Sequence, residues 1–325
     1  MKLPRRNFLH LAAGVVALPA LPRIARAQAY PTRPVRLIVP FAPAGGADTI
    51  ARLMGQWLSE RLGQSFILEN RPGAAANIGT EAVVRAPPDG YTLLLVSTTN
   101  AINATLYDRL NFDFLRDIAP IAGIISLPFV MVVNPSVPAK TVPEFTAYAK
   151  ANPGKINLGS PGIGTPPHVA GELFKMMAGV DLVHVPYRGG GAVVSDLLGG
   201  QVQVLFGTTS LTAEQVRAGK LRALAVTGAT RWEELPDIPT VGDFVLGYEA
   251  SSLFGLGAPK QTPAAIIDRL NREINAALDD PTLKTRLIEL GGTLLAGSPA
   301  DFGKLLADDT EKWGKVIKFA DIKPE

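Results

Sequence analysis

Apolar positions along this chain follow two alternating rhythms, one of strands and one of helices. Leu37, Ile38 and Val39 form a short, partly β-branched run that predicts a buried strand. Pro40-Phe41-Ala42-Pro43-Ala44-Gly45-Gly46-Ala47-Asp48 ends it, since two prolines withhold N–H donors and two glycines free the backbone to bend. Beyond Asp48, residues Ile50, Leu53, Met54, Trp57, Leu58 and Leu62 recur at helical spacing, and Gly63 closes the helix. The alternation returns with a strand over 65–70, a helix over 79–86, and a strongly apolar strand over 91–96 that ends in Ser97-Thr98-Thr99-Asn100. A strand-rich stretch over 118–133, interrupted by Pro128, leads to a second series.

In that series a helix over 141–151 precedes a strand over 156–160 and the loop Pro161-Gly162-Ile163-Gly164-Thr165. Thr165 can cap the next helix, whose apolar face carries Val169, Leu173, Met176 and Met177. A strand over 181–187 closes at Arg188-Gly189-Gly190-Gly191, and a helix follows over 193–198. Residues 201–206 alternate like a strand and end in Gly207-Thr208-Thr209-Ser210; further strands are expected over 221–227 and 251–258. Helices beginning near Pro263, Thr282 and Pro299 complete the chain.

Strands alternating with helices predict an α/β fold with parallel sheets and right-handed crossovers. The pattern divides into two lobes, residues 28–125 with 250–325 and residues 126–249, with chain crossings near 123–129 and 248–254. A cleft between such lobes closes on a ligand by hinge motion. Each strand-to-helix turn aims unpaired N–H groups at that cleft, which suits an anion. Ser97 to Asn100 reads equally as ligand contact or as an ordinary helix cap.

The amino-terminal 27 residues stand apart. They hold a basic start, an apolar stretch over 8–21 and the small-residue ending Ala25-Arg26-Ala27, the pattern of a cleaved export signal. Arg5-Arg6 within it reads as a twin-arginine address, although Pro4 precedes the pair. The segment also changes the charge balance. The chain's net +3 includes five basic residues there and no acids; without them 27 basic residues face 29 acidic ones, so no affinity for nucleic acid is implied. Cysteine is absent, which rules out disulfides and thiolate metal ligation. The expected location is the periplasm.

Catalytic chemistry finds little support. The chain carries no Gly-x-Ser-x-Gly elbow, no Walker lysine and no His-Glu-x-x-His pair, and Pro167 stands where a dinucleotide fingerprint needs its third glycine. Only His168 and His184 remain after the leader. His184, within an apolar strand, is expected to be a buried, hydrogen-bonded residue. His168 beside the glycine loop fits a ligand contact and a bond to its own loop equally well. Arg188 reads as a charge-assisted ligand contact or as an exposed structural arginine. No metal and no cofactor are expected.

The mature chain resembles the extracytoplasmic solute-binding receptors of tripartite tricarboxylate transporters, the Bug family. The stretches that carry the likeness include Pro40 to Asp48, Glu69-Asn70-Arg71-Pro72-Gly73-Ala74, Pro88-Asp89-Gly90-Tyr91, Asn134-Pro135-Ser136-Val137-Pro138, His184-Val185-Pro186-Tyr187-Arg188-Gly189 and Leu235-Pro236-Asp237-Ile238-Pro239-Thr240. The resemblance implies a two-lobed, type II-like periplasmic binding protein with its ligand cleft between the lobes. It implies that Phe41, Pro43, Ala44, Gly45, Gly46 and Asp48 grip a small carboxylate together with Ser160, Gly162, Gly164, Thr165 and His168. Ser97, Thr98, Arg188, Gly189, Phe206 and Gly207 are the further expected contacts. The ligand would pass to membrane permease subunits, with the receptor working as a monomer without catalysis.

Three departures bear on the ligand. Ala44 stands where the family often has glycine, Leu205-Phe206-Gly207 replaces a usual Met-Phe-Asp, and Leu253-Phe254 replaces an aromatic pair. Loss of the acid disfavours amine-bearing ligands and leaves an uncharged-chain or aromatic mono- or dicarboxylate as the expected class. The alternatives are a ligand-binding input to a membrane sensor kinase and an exported hydrolase using the same cleft.

Overall fold

The two rhythms of the sequence are visible in the computed structural model, which describes residues 30–232 and 236–324. The expected export signal lies outside the described residues. Strands β1 (Val35–Val39), β2 (Phe66–Asn70) and β3 (Thr92–Ser97) alternate with helices α1 (Gly46–Leu62), α2 (Asn77–Val84) and α3 (Thr98–Leu106). β1 pairs in parallel with both β2 and β3, and all six residues of β3 are buried, as its unbroken apolar run requires. A short helix α4 (Phe114–Asp117) leads into β4 (Ile118–Val133).

The second series comprises α5 (Val142–Ala151), β5 (Asn157–Ser160), α6 (Pro166–Ala178), β6 (Val183–Pro186), α7 (Gly190–Leu198), β7 (Val204–Thr208), α8 (Thr209–Arg217) and β8 (Arg222–Val226). The chain returns through β9 (Ser251–Pro259) and ends with α9 (Ala264–Asp279), α10 (Pro281–Ile288), β10 (Thr293–Leu294) and α11 (Pro299–Phe319).

The hydrogen-bonded order is β2-β1-β3-β9-β4-β7-β5-β6, with β8 and β10 also on β4. β4 is the shared element. Residues 118–128 pair antiparallel with β9, while residues 129–133 pair antiparallel with β7. Pro128 does not interrupt the strand. It is the last residue of β4 to face β9, and Phe129, the first to face β7, gives its N–H to the Thr227 hydroxyl at 2.6 Å. The N–H that proline lacks therefore falls at the hand-over between partners, where a break in the ladder costs least. The sheet is mixed because β4, β9 and β10 run against their neighbours.

Two large cores lie on either side of this hand-over. One gathers Leu37, Met54, Leu93, Ile125, Leu256, Leu270 and Ile274. The other gathers Phe129, Met131, Phe145, Leu158, Phe174 and Phe206, together with Ile102 and Leu106 of α3. α11, 21 residues and about 30 Å long, touches both sides. Phe302 and Leu306 pack near Ile38 and Val96, while Trp313, Val316 and Ile317 enter the second core. No helix among the described residues is long and apolar enough to cross a membrane.

Candidate functional site

The turn between β1 and α1 is held rigidly by the residue at its end. Asp48 is 2% exposed, and its carboxylate accepts from the Ala44 N–H at 3.0 Å, Arg52 Nε at 2.8 Å and Asn70 Nδ2 at 2.9 Å. The same Asn70 amide donates to Phe41 O at 3.1 Å, which ties the start of the turn to β2. Burial pushes the Asp48 pKa up, but the bonds from Arg52, Asn70 and Ala44 outweigh it and hold the carboxyl below its usual range. Asp48 is thus occupied by protein donors. It shapes the turn.

The turn presents an open helix end. Pro43, Ala44, Gly45 and Gly46 are exposed, and nothing lies within 4 Å of where a Gly46 Cβ would be. The N–H of Thr49 is the first to reach back along the helix, bonding Gly45 O at 3.0 Å. The donors before it, at Gly46, Ala47 and Asp48, are the ones a helix leaves without an internal partner. Ala44 sits at φ 66°, where a Cβ is strained. Ala44→Gly is therefore expected to leave the fold intact and change stability by less than about 1 kcal/mol, relief of strain offsetting a more flexible unfolded chain. Equilibrium urea unfolding measures this.

The loop after β5 is built differently. Ser160 is fully buried, with Oγ donating to Gly162 O at 3.1 Å and lying 2.7 Å from His184 Nε2. His168 is also buried, and its Nδ1 accepts the Gly164 N–H at 3.0 Å. Of its two readings, the bond to its own loop is the one formed. The His168 and His184 rings stack with centroids 3.6 Å apart. Burial first, and the neighbouring His168 second, push the His184 pKa down to about 3, so it is neutral at neutral pH.

Gly164, at φ 69°, lies so close to Leu106 of α3 that a Cβ there would collide with its side chain. Thr165 turns its hydroxyl to Gly162 O at 2.7 Å. Pro166 and Pro167 open α6 and carry no N–H, so this helix offers fewer free donors than α1. The Ser160–His184 contact resembles half of a hydrolase triad, but a sealed serine hydroxyl is not placed to attack a substrate.

The other named residues divide by exposure. Ser97 caps α3 and its N–H donates to the Asn100 side-chain oxygen at 2.9 Å, so a helix cap forms at that run. Thr98 donates to Asp309 Oδ2 at 2.9 Å and accepts the Leu253 N–H at 2.9 Å, which locks α3 to β9 and α11. Phe206 faces Phe174 and Tyr248 inside the second core, and a side chain at Gly207 would run into Thr212 of α8. Arg188 is exposed, and Gly189, beside the β5 loop through its N–H to Pro161 O, opens α7 with free space around it.

Sequence reasoning missed two contributors to the turn. Arg52, four residues after Asp48 on one helix face, was legible by spacing. Asn70 was not, because its contact depends on the pairing Val39↔Asn70 between strands far apart in sequence. It also missed a crevice of about 750 Å³ whose walls come from both sides of the hand-over: Trp232 and Arg231 on one, Lys284, Ile288 and Leu294 on the other, over Leu253. None of the named ligand residues lines it. Thr98 bonds the N–H of Leu253 on its wall, and the Thr209 hydroxyl donates to Leu290 O at 3.2 Å, next to Gly291.

Two α/β lobes that share crossing strands, with glycine-rich strand-to-helix turns at their edges, define the class of periplasmic binding proteins. Residues 50–322 match the tripartite tricarboxylate transporter family receptor, TctC, and the chain belongs to that family. Protein BugT of Bordetella pertussis is 35% identical over 297 residues, covering 90% of each chain. A structure of an R. palustris protein with adipate aligns with a TM-score of 0.79 at 36% identity, covering 91% of this chain and 100% of the other. MatC from Rhodopseudomonas palustris with bound malate aligns at 0.74 and 29% identity, covering 89% of this chain and 100% of MatC.

Proposed function

We propose that this receptor is exported to the periplasm through its first 27 residues by the twin-arginine route. There it closes residues 28–125 with 250–325 against residues 126–249 over a small carboxylate, and delivers it as a monomer to membrane permease subunits. It performs no chemistry of its own. The observation that carries this reading is the exposed Gly45-Gly46 end of α1, fixed by Asp48 and Asn70, with its first-turn donors free. Gly189 at the start of α7 supplies a second such end. The adipate and malate seen with relatives are carboxylates of the size such ends hold.

A thermal-shift series on the chain from residue 28 tests the reading. An acid at about a hundredfold its Kd stabilises the fold by roughly 2.7 kcal/mol. Adipate, malate, citrate, benzoate, glucose and aspartate serve as probes, and at least one carboxylate is expected to raise the melting temperature. Gly46→Phe, accommodated because nothing surrounds that position, should keep the unliganded melting temperature and lose the shift. A shift with glucose alone overturns the reading.

A further inference from the structure

We infer that the stacked His168 and His184 rings are positioning residues for the loop after β5. They fix its two glycines and leave the Ile163 N–H between them as a donor to the ligand's carboxylate. This rests on the carboxylate-receptor reading and adds how one rim of the cleft keeps its shape.

The loop needs such support. Gly162 and Gly164 stand at φ 148° and 69°, and glycine gives up more freedom on ordering than any other residue. Each is tied to one ring. Gly164 gives its N–H to His168 Nδ1, so that ring carries its hydrogen on Nε2 and is uncharged. Ser160 has a single hydroxyl hydrogen. With that hydrogen donated to Gly162 O, the 2.7 Å contact to the ring requires a hydrogen on His184 Nε2. Both rings are thus Nε2–H imidazoles, and two uncharged rings can stack at 3.6 Å where two cations would repel.

The other donors of the loop are engaged. Gly162 turns its N–H to Ser160 Oγ at 3.3 Å, and Thr165 gives both hydroxyl and N–H to Gly162 O. The Ile163 N–H has no protein partner among the described residues. The setting also tolerates an anion. Glu172, 3.7 Å from His168 Nε2, is matched by Lys175 at 3.0 Å, so no unbalanced carboxylate lies behind the rings.

A succession of contacts joins this loop to the Gly45-Gly46 turn. Gly164 packs against Leu106 of α3. One helical turn earlier, Asn103 donates to Ala75 O at 2.6 Å and to Asn77 Oδ1 at 3.0 Å. The loop holding Ala75 follows Asn70, whose amide bonds Phe41 O and Asp48 on either side of the glycine turn. On its other flank, Pro161 O accepts the Gly189 N–H at 3.1 Å, beside the open end of α7.

The chain from residue 28 holds just these two histidines, which makes their rings separable by NMR. With isotope-labelled histidine, both should show the Nε2–H pattern at neutral pH; a hydrogen on His168 Nδ1 overturns the inference. Titration calorimetry uses whichever of adipate, malate, citrate and benzoate binds most tightly. His168→Leu should weaken that acid about tenfold, because the loop loses its fixed geometry. His168→Asn, whose Oδ1 replaces Nδ1 as acceptor, should stay within about threefold of the original. His184→Leu and His184→Gln should divide the same way, the glutamine amide replacing Nε2–H.

A purely structural pair would lower the melting temperature of the leucine variants and leave the affinity of the folded protein unchanged. That result sinks the inference while the receptor reading stands. The Ile163 amide proton should move downfield when the acid saturates the original chain, and an unmoved Ile163 counts equally against it. Should either leucine variant fail to fold, the tautomer and Ile163 measurements still decide. Failure of every acid to bind overturns both readings.

Discussion

Asp48→Ala is expected to lower stability by about 2–3 kcal/mol and to weaken carboxylate binding at least tenfold. Removing the carboxylate leaves the Asn70 amide and the Ala44 N–H without the acceptor that both now use. Arg52 is largely exposed and regains water, so its ion pair contributes little to the loss. With the strained Ala44 no longer held, the turn relaxes and the helix end loses its fixed aim. The pH dependence follows from the lowered pKa of Asp48. Its stabilisation is complete above the unfolded-state value near 3.9 and is lost as pH falls through the lower folded value. The difference in urea midpoint between the variant and the original chain should therefore be largest at pH 7 and narrow as pH falls below about 4. Equal midpoints at pH 7 would show that Asp48 does not hold the turn.

Trp313→Ala should have the largest effect on the fold, a loss of about 4 kcal/mol. The indole is fully buried in a core shared with residues from α3, α6 and the second half of β4. At roughly 2–3 °C per kcal/mol for a chain of this size, the melting temperature should fall by about 10 °C. Differential scanning calorimetry measures it. A fall under 3 °C would mean that α11 adds little to the second core.

The elements best read from sequence were those whose evidence is local. The Leu37–Val39 strand, the helical spacing from Ile50 to Leu62, and the Pro166-Pro167 start of α6 all follow from neighbours a turn or a pleat apart. α8 was missed because it begins at once on the residue after a strand, so Thr208-Thr209 looked like loop, and of α3 only a cap at Ser97 to Asn100 was legible, not its length. Pro128 misled for a similar reason: its cost depends on which strand lies opposite, which only the fold decides. At the site, the open glycine turn was legible as chemistry, whereas the burial of Ser160, His168 and Phe206 was not. Residues near one another in a turn can face opposite ways, and spacing alone does not tell a lining side chain from a supporting one.

The reach of α11 across both cores sets a limit on how this scaffold can be varied by recombination. Residues 126–249 transplanted from a relative would arrive without Trp313, Val316 and Ile317, which complete the second core from the far end of the chain. Ile102 and Leu106 would be missing from the other direction. Chimeras with altered ligand preference are therefore better made by exchanging surface turns than by exchanging whole halves, because the interior is jointly owned even where the surface turns are not.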